Sequence, residues 1–150
     1  MSERLPPGST IGILGGGQLG RMLAVAAARL GFHAHVCDPS PGCPASEVAR
    51  ATTTAPWDDA AALAACGGAV DVVTYEFENI PGAALDAIEA LRPIRPNRRS
   101  LATSQDRVAE KTFLAAIGLA TAPFAPVATA ADLDAALARI GCPAILKTAR

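Results

Sequence analysis

The sequence predicts a doubly wound α/β protein built on a parallel sheet. Three observations carry that prediction. Short apolar runs bounded by glycine or proline alternate with stretches of helical periodicity over residues 1–95. A glycine-rich turn lies between the first such run and the first helix. The chain has 150 residues, a length that buries roughly 70% of the surface of its unfolded form and needs no disulfide staple.

The elements follow in order. Residues 10–14 are an apolar run bounded by glycine, which reads as a buried strand. Leu19, Met22, Leu23, Ala26 and Leu30 then recur at helical spacing. They make the apolar stripe of an amphipathic helix, the side such a helix turns to its core. Gly31 stops it at the position a C′ glycine prefers. Residues 32–37 are a second strand, ending at Asp38-Pro39-Ser40-Pro41-Gly42, which cannot continue a sheet. A short strand over 51–54 and a helix over 58–66 come next, then a buried strand over 70–75 and a helix over 82–91. Such alternation implies parallel strands joined by crossovers.

The segment after Arg95 has a different rhythm. Pro93-Ile94-Arg95-Pro96-Asn97 marks a break, and Arg98 and Arg99 open a helical stretch. Val108, Ala109, Thr112, Phe113, Ala116 and Ile117 share one side of a helix that ends at Gly118. Pro123 and Pro126 bracket an extended piece, and Leu133, Leu137 and Ile140 lie on a further helix closed by Gly141. Residues 144–147 then begin a strand, and the chain stops three residues later, so a protein continuing past Arg150 is expected. The predicted organisation is one domain over 1–95 and the first part of another over 96–150.

Composition excludes several classes of function. Thirteen basic and fourteen acidic residues leave a net charge of -1, which disfavours an electrostatic hold on nucleic acid or an anionic membrane. Hydrophobic content is 51%, but 34 residues are alanine and only six are aromatic, so bulky core side chains are few. Cys37, Cys43, Cys66 and Cys142 contain no C-x-x-C pair, no histidine is read as a metal ligand beside them, and no disulfide framework is expected. Glycines interrupt the apolar run near the N-terminus, so it is neither a signal segment nor a membrane span, and a cytoplasmic protein is expected.

Two stretches carry chemistry. Gly15-Gly16-Gly17-Gln18-Leu19-Gly20 matches G-x-G-x-x-G between a strand and a helix. Glycines let the backbone approach a phosphate, and N–H groups of the first helical turn point at it. The same turn would suit the pyrophosphate of NAD, with Asp38 at the end of the second strand taking the ribose hydroxyls. The motif does not choose between a dinucleotide and a phosphorylated substrate. The second stretch, Tyr75-Glu76-Phe77-Glu78-Asn79-Ile80-Pro81, stands at the carboxyl end of a strand, where open α/β sheets bind their ligands. Two carboxylates and an amide there suit a polar, amine-bearing molecule.

Taken together, residues 15–22 (Gly-Gly-Gly-Gln-Leu-Gly-Arg-Met), 75–80 (Tyr-Glu-Phe-Glu-Asn-Ile) and Gln105-Asp106-Arg107 with Lys111 resemble the N5-carboxyaminoimidazole ribonucleotide synthetases. Ala122-Pro123-Phe124, Gly141-Cys142-Pro143 and Ile145-Leu146-Lys147-Thr148 fall in the same family order. The resemblance covers nearly the whole chain and is far more specific than the glycine turn. It implies an ATP-grasp ligase of purine biosynthesis, with a Rossmann-like pre-ATP-grasp domain over 1–95 and the start of the ATP-grasp domain over 96–150. The reaction it implies phosphorylates bicarbonate with MgATP to carboxyphosphate and transfers the carboxyl to the amine of aminoimidazole ribonucleotide.

By position, the resemblance places Gly15, Gly16, Gly17, Gln18 and Leu19 at the 5′-phosphate side of the ribonucleotide. Glu76, with Glu78 as a second candidate, is placed at its ribose or imidazole. Arg107 and Lys147 match ATP-contacting residues, in keeping with the use of Arg and Lys on phosphates. Lys111 is open to reading as a solvated partner of Glu110 or Asp106 and carries no assigned role. The magnesium ligands and the catalytic residues are expected beyond Arg150, so the 150 residues alone are expected to be inactive, and family members often form homodimers. Two other readings stay open: a nicotinamide-dependent oxidoreductase domain, resting on the glycine turn and Asp38, and a non-catalytic assembly domain that keeps only the fold.

Overall fold

The computed structural model describes residues 4–150; Met1 to Glu3, counted above in the first domain, lie outside them. The chain divides into two compact units, one ending at Arg98 and the other running from Arg99 to Arg150.

The first unit is a four-stranded parallel sheet in the order β3-β2-β1-β4. β1 (Thr10–Leu14), β2 (His33–Asp38), β3 (Ala51–Thr54) and β4 (Val72–Tyr75) fall where the apolar runs predict them. Leu14 is paired with Cys37 on one side and with Tyr75 on the other. Ile94 adds a single parallel bridge to Val73 beyond β4. The helices α1 (Gln18–Arg29) and α2 (Ala60–Gly68) join β1 to β2 and β3 to β4, and α3 (Gly82–Glu89) follows β4.

Side-chain alternation along β2 separates the two sides of the sheet. Ala34 and Val36 point to the side where Ile13, Ala24, Cys43 and Ala45 form a core cluster under α1. Cys37 points the other way and is disulfide-bonded to Cys66 of α2. α2 in turn packs on α3, a Cβ built on Gly67 standing 3.5 Å from Ile88. Helices therefore cover both sides, and the doubly wound prediction holds.

The predicted buried stripe of α1 does not. Leu19, Met22 and Leu30 are 58%, 57% and 70% exposed, and Leu23 is exposed as well. The residues against the sheet are Gly20, Ala24 and Ala27. The helix lies against β1, β2 and the 3-10 turn Pro44–Glu47, and that turn leaves room only for small side chains at the contact. A disulfide is also present where none was expected. Its partners lie 29 positions apart with no local signal, and only the pairing of β2 with α2 brings them together.

The second unit contains most of α4 (Arg98–Ser104), which begins on the last residue of the first unit, with α5 (Arg107–Ala116) and α6 (Ala130–Ile140). Asp106 caps α5, its carboxylate accepting from the N–H groups of Val108 and Ala109 at 2.9 Å each. Thr129 and Asp132 form a reciprocal capping box at the start of α6. Residues 144–147 are not the expected strand. They have no ladder partner among the described residues, and Ile145 and Leu146 are 82% and 68% exposed. An apolar run satisfies the pattern of a strand, but only a neighbour supplies its hydrogen bonds.

Candidate functional site

The carboxyl ends of three adjacent strands meet at the glycine turn. β1 ends at Leu14, and the chain reverses through Gly15, whose φ of +104° favours a residue without a Cβ. The Gly15 N–H donates to the Cys37 carbonyl at 2.9 Å. The Gly16 N–H donates to Asp38 Oδ2 at 2.7 Å, while Asp38 Oδ1 accepts from the Ser40 N–H at 2.7 Å. This second bond is an Asx turn. Asp38, left above as a candidate for ribose hydroxyls, thus has both oxygens engaged in shaping the turn. A Cβ built on Gly16 would stand 2.2 Å from the sulfur of Cys43, a buried free thiol.

α1 opens with Gly17 as its N-cap, with no side-chain cap and no acid in its first turn. Its first backbone bond runs from the Arg21 N–H to the Gly17 carbonyl at 2.9 Å. The N–H groups of Gln18 and Leu19 have no acceptor within the helix, as at every helix start. With the helix dipole they present partial positive charge to an anion. Both residues are exposed.

Glu76 closes the other side. Its N–H donates to the Leu14 carbonyl at 2.8 Å, which holds the end of β4 against the end of β1. Its carboxylate lies over the turn: a Cβ on Gly15 would be 2.8 Å from Glu76 Oε2, and one on Gly17 would be 3.5 Å from the same atom. The structure therefore brings Gly15, Gly16, Gly17 and Glu76 together beside the first turn of α1. Glu78 is exposed, two residues further along. Phe77 stacks on Trp57 with ring centroids 6.2 Å apart, a pair for which the sequence carried no signal. Donors on the helix side and an acceptor on the Glu76 side suit a ligand that carries an anion at one end and hydroxyl or amine groups nearby.

Within the second unit, the Arg107 N–H donates to the Ala149 carbonyl at 2.9 Å. That bond sets the segment carrying Lys147 beside the start of α5. Both side chains are exposed, so Lys147 reaches solvent instead of being held in an apolar strand. Lys111 is not the partner of Glu110 or Asp106: its ammonium donates to the Ala122 carbonyl at 3.2 Å and lies 5.3 Å from the Phe124 ring centroid.

The α2 side of the sheet holds a group that no metal-ligand spacing in the sequence announces. His35, Cys37 and Cys66 place one ligand atom each within 4.8 Å of one another. Burial lowers the pKa of His35, leaving the ring neutral at pH 7.

A parallel sheet whose glycine turn lies beside a neighbouring strand end and the open start of a helix places the first unit among the Rossmann-like α/β domains. The sequence matches the family described as ribonucleotide synthetase preATP-grasp domain over residues 8–105, and the chain belongs to that family. A curated relative from Brucella melitensis named N5-carboxyaminoimidazole ribonucleotide synthase is 49% identical over 146 residues, covering 97% of this chain and 40% of the relative. The crystal structure of N5-carboxyaminoimidazole ribonucleotide synthetase from Thermus thermophilus superimposes with a TM-score of 0.84 at 45% identity, covering 93% of this chain and 39% of that one. The Aspergillus clavatus synthase, solved with ADP and 5-aminoimidazole ribonucleotide, gives 0.79 at 29% identity, covering 91% and 37%. The chain thus spans well under half the length of these relatives.

Proposed function

We propose that this chain supplies the ribonucleotide-binding part of an ATP- and bicarbonate-dependent carboxylation of 5-aminoimidazole ribonucleotide to its N5-carboxyamino product, through carboxyphosphate, in purine biosynthesis. The observation that carries the proposal is the placement of the Glu76 carboxylate over Gly15 and Gly17, beside the open first turn of α1. The 5′-phosphate takes the N–H groups of Gln18 and Leu19, and Glu76 accepts from ribose hydroxyls or the amine. Glu78 stands behind it as a second acceptor. Residues 1–95 form the pre-ATP-grasp domain and 96–150 the opening of the ATP-grasp domain, where Arg107 and Lys147 meet the phosphates of ATP. The enzyme works in the cytoplasm, as a homodimer.

The oxidoreductase reading fares worse on the same geometry, because the oxygens of Asp38 are already engaged by Gly16 and Ser40. Magnesium takes oxygen ligands, typically one or two carboxylates with substrate phosphates. The His/Cys/Asp/Glu group found among the described residues has two sulfurs and an imidazole, which does not fit that ion.

Calorimetric titration of the chain with 5-aminoimidazole ribonucleotide and, separately, with NAD tests the proposal. The ribonucleotide binds, and Glu76→Gln weakens it by about 10- to 100-fold, the loss of one hydrogen bond to a charged group. NAD binding abolished by Asp38→Ala, with no ribonucleotide binding, would overturn it.

A further inference from the structure

Away from the glycine turn, chemistry-bearing side chains converge at His35, Cys37 and Cys66. His35 and Cys37 lie two positions apart on β2 and so share one side of the sheet, opposite Ala34 and Val36. α2 brings Cys66 over that side. The three ligand atoms lie within 4.8 Å of one another. Two sulfurs on one tetrahedral zinc stand about 3.8 Å apart, given a Zn–S bond of about 2.3 Å. In the disulfide the two sulfurs are bonded to each other, so opening that bond and parting them to about that distance makes room for an ion beside the nearby imidazole. The Thr53 hydroxyl lies 2.8 Å from His35 Nε2, the kind of outer partner that orients a metal-binding imidazole. Both sulfurs are buried, and the half-buried imidazole is the member of the three that reaches the surface.

We propose that His35, Cys37 and Cys66 form a redox-gated site for a soft divalent cation of the zinc type, available when the Cys37–Cys66 disulfide is open. Thiolate and imidazole ligands select such ions over magnesium or calcium, and three protein ligands leave a fourth position for water or a small anion. With the disulfide closed, the sulfurs are bonded to each other and no thiolate exists. A dithiol reductant attacks one sulfur, forms a mixed disulfide and leaves as its own cyclic disulfide. Two electrons and two protons pass to Cys37 and Cys66. Binding of the cation then expels the two thiol protons to solvent, so the charge on the bound set is balanced. The site lies directly below the glycine turn, since the Cys37 carbonyl is the acceptor for the Gly15 N–H.

The test uses cobalt(II) as an optical probe and zinc as its competitor. The chain is reduced with a dithiol, freed of it without air and titrated. Thiolate-to-cobalt charge-transfer absorption saturates at one ion per chain, and zinc removes it. The same chain with its disulfide intact gives no such band. His35→Ala weakens binding by about tenfold or more, a loss at least as large as for an outer partner. X-ray absorption of the zinc form shows two sulfurs at about 2.3 Å and nitrogen at about 2.0 Å. Absence of the band from reduced protein of native circular dichroism overturns the proposal. So does an equal band in Cys66→Ser, which would assign the ion to Cys43 or Cys142. Should Cys66→Ser not fold, the comparison of oxidised with reduced wild-type chain decides alone, together with the sulfur count.

Discussion

Gly20→Ala reverses the usual sign of a helical glycine substitution. Replacing a glycine inside a helix by alanine ordinarily stabilises by about 0.5–1 kcal/mol, through the smaller conformational freedom of the unfolded chain. At Gly20 the new methyl would stand 2.3 Å from the Gly15 carbonyl oxygen and 3.7 Å from the Ala45 Cβ. The first neighbour is backbone and belongs to the turn itself, so it cannot rotate aside. Overpacking of this kind costs about 1–3 kcal/mol, which leaves a net loss of up to about 2.5 kcal/mol after the helical gain. Gly68, the last residue of α2, is the internal control. A Cβ there meets nothing within 4 Å, so Gly68→Ala is neutral or stabilising by up to about 1 kcal/mol. Urea unfolding followed by circular dichroism reads both. The midpoint falls for Gly20→Ala and holds or rises for Gly68→Ala, with unchanged slopes. If Gly20→Ala unfolds at or above the wild-type midpoint, the contact between α1 and the turn is not as close as described, and the site geometry built on it fails.

Further outcomes follow from the hydrogen bonds of the two units. Asp38→Ala removes the acceptor of the Gly16 and Ser40 N–H groups. It lowers stability by about 1–3 kcal/mol in denaturant titration, and raised hydrogen exchange at Gly16 is the local mark of the lost bond. Asp132 is held below its ordinary value of 3.8 by the Thr129 side chain and then by the backbone N–H groups of Ala128 and Thr129. A depressed carboxylate stabilises the fold above that ordinary value, and the contribution disappears as pH falls through the folded-state pKa. Protection from amide exchange at the start of α6, taken relative to the intrinsic rate at each pH, therefore falls below about pH 4, and Asp132→Asn removes most of that pH dependence; an acid-insensitive α6 contradicts the capping box.

Much of the first unit was legible in the sequence because each strand is a short apolar run stopped by glycine, proline or a turn. The four strands, the glycine turn and the position of Glu76 beside it follow from such local signals. The side of α1 that packs was not legible. Leu19, Met22, Leu23 and Leu30 announce a two-sided helix, but periodicity does not say which side meets the sheet. A close helix–sheet approach selects Gly20, Ala24 and Ala27 over bulk. Asp38 as the brace of the turn was half legible: Asp-x-Ser is an Asx-turn signal, but its bond to Gly16 spans 22 positions. The Cys37–Cys66 pair and its histidine had no signal at all, since only the packing of α2 against β2 unites them. The strand expected over 144–147 failed for the opposite reason. Its apolar pattern was real, but pairing is a property of two segments.

The pairing of Leu14 with both Cys37 and Tyr75 holds the carboxyl ends of the three strands in register, like the teeth of a comb. The next residue in register is Gly15, Asp38 or Glu76, Asp38 being the last residue of β2, so all three stand on the same line. One residue added to or removed from any of these strands would slide one member by about 3.3 Å and turn its side chain to the opposite side. Substitutions at these strands are therefore open to repair by neighbours, whereas changes of length are not. Natural variation in this part of the molecule should be confined to the identity of strand residues, with insertions and deletions kept to the loops at the amino ends.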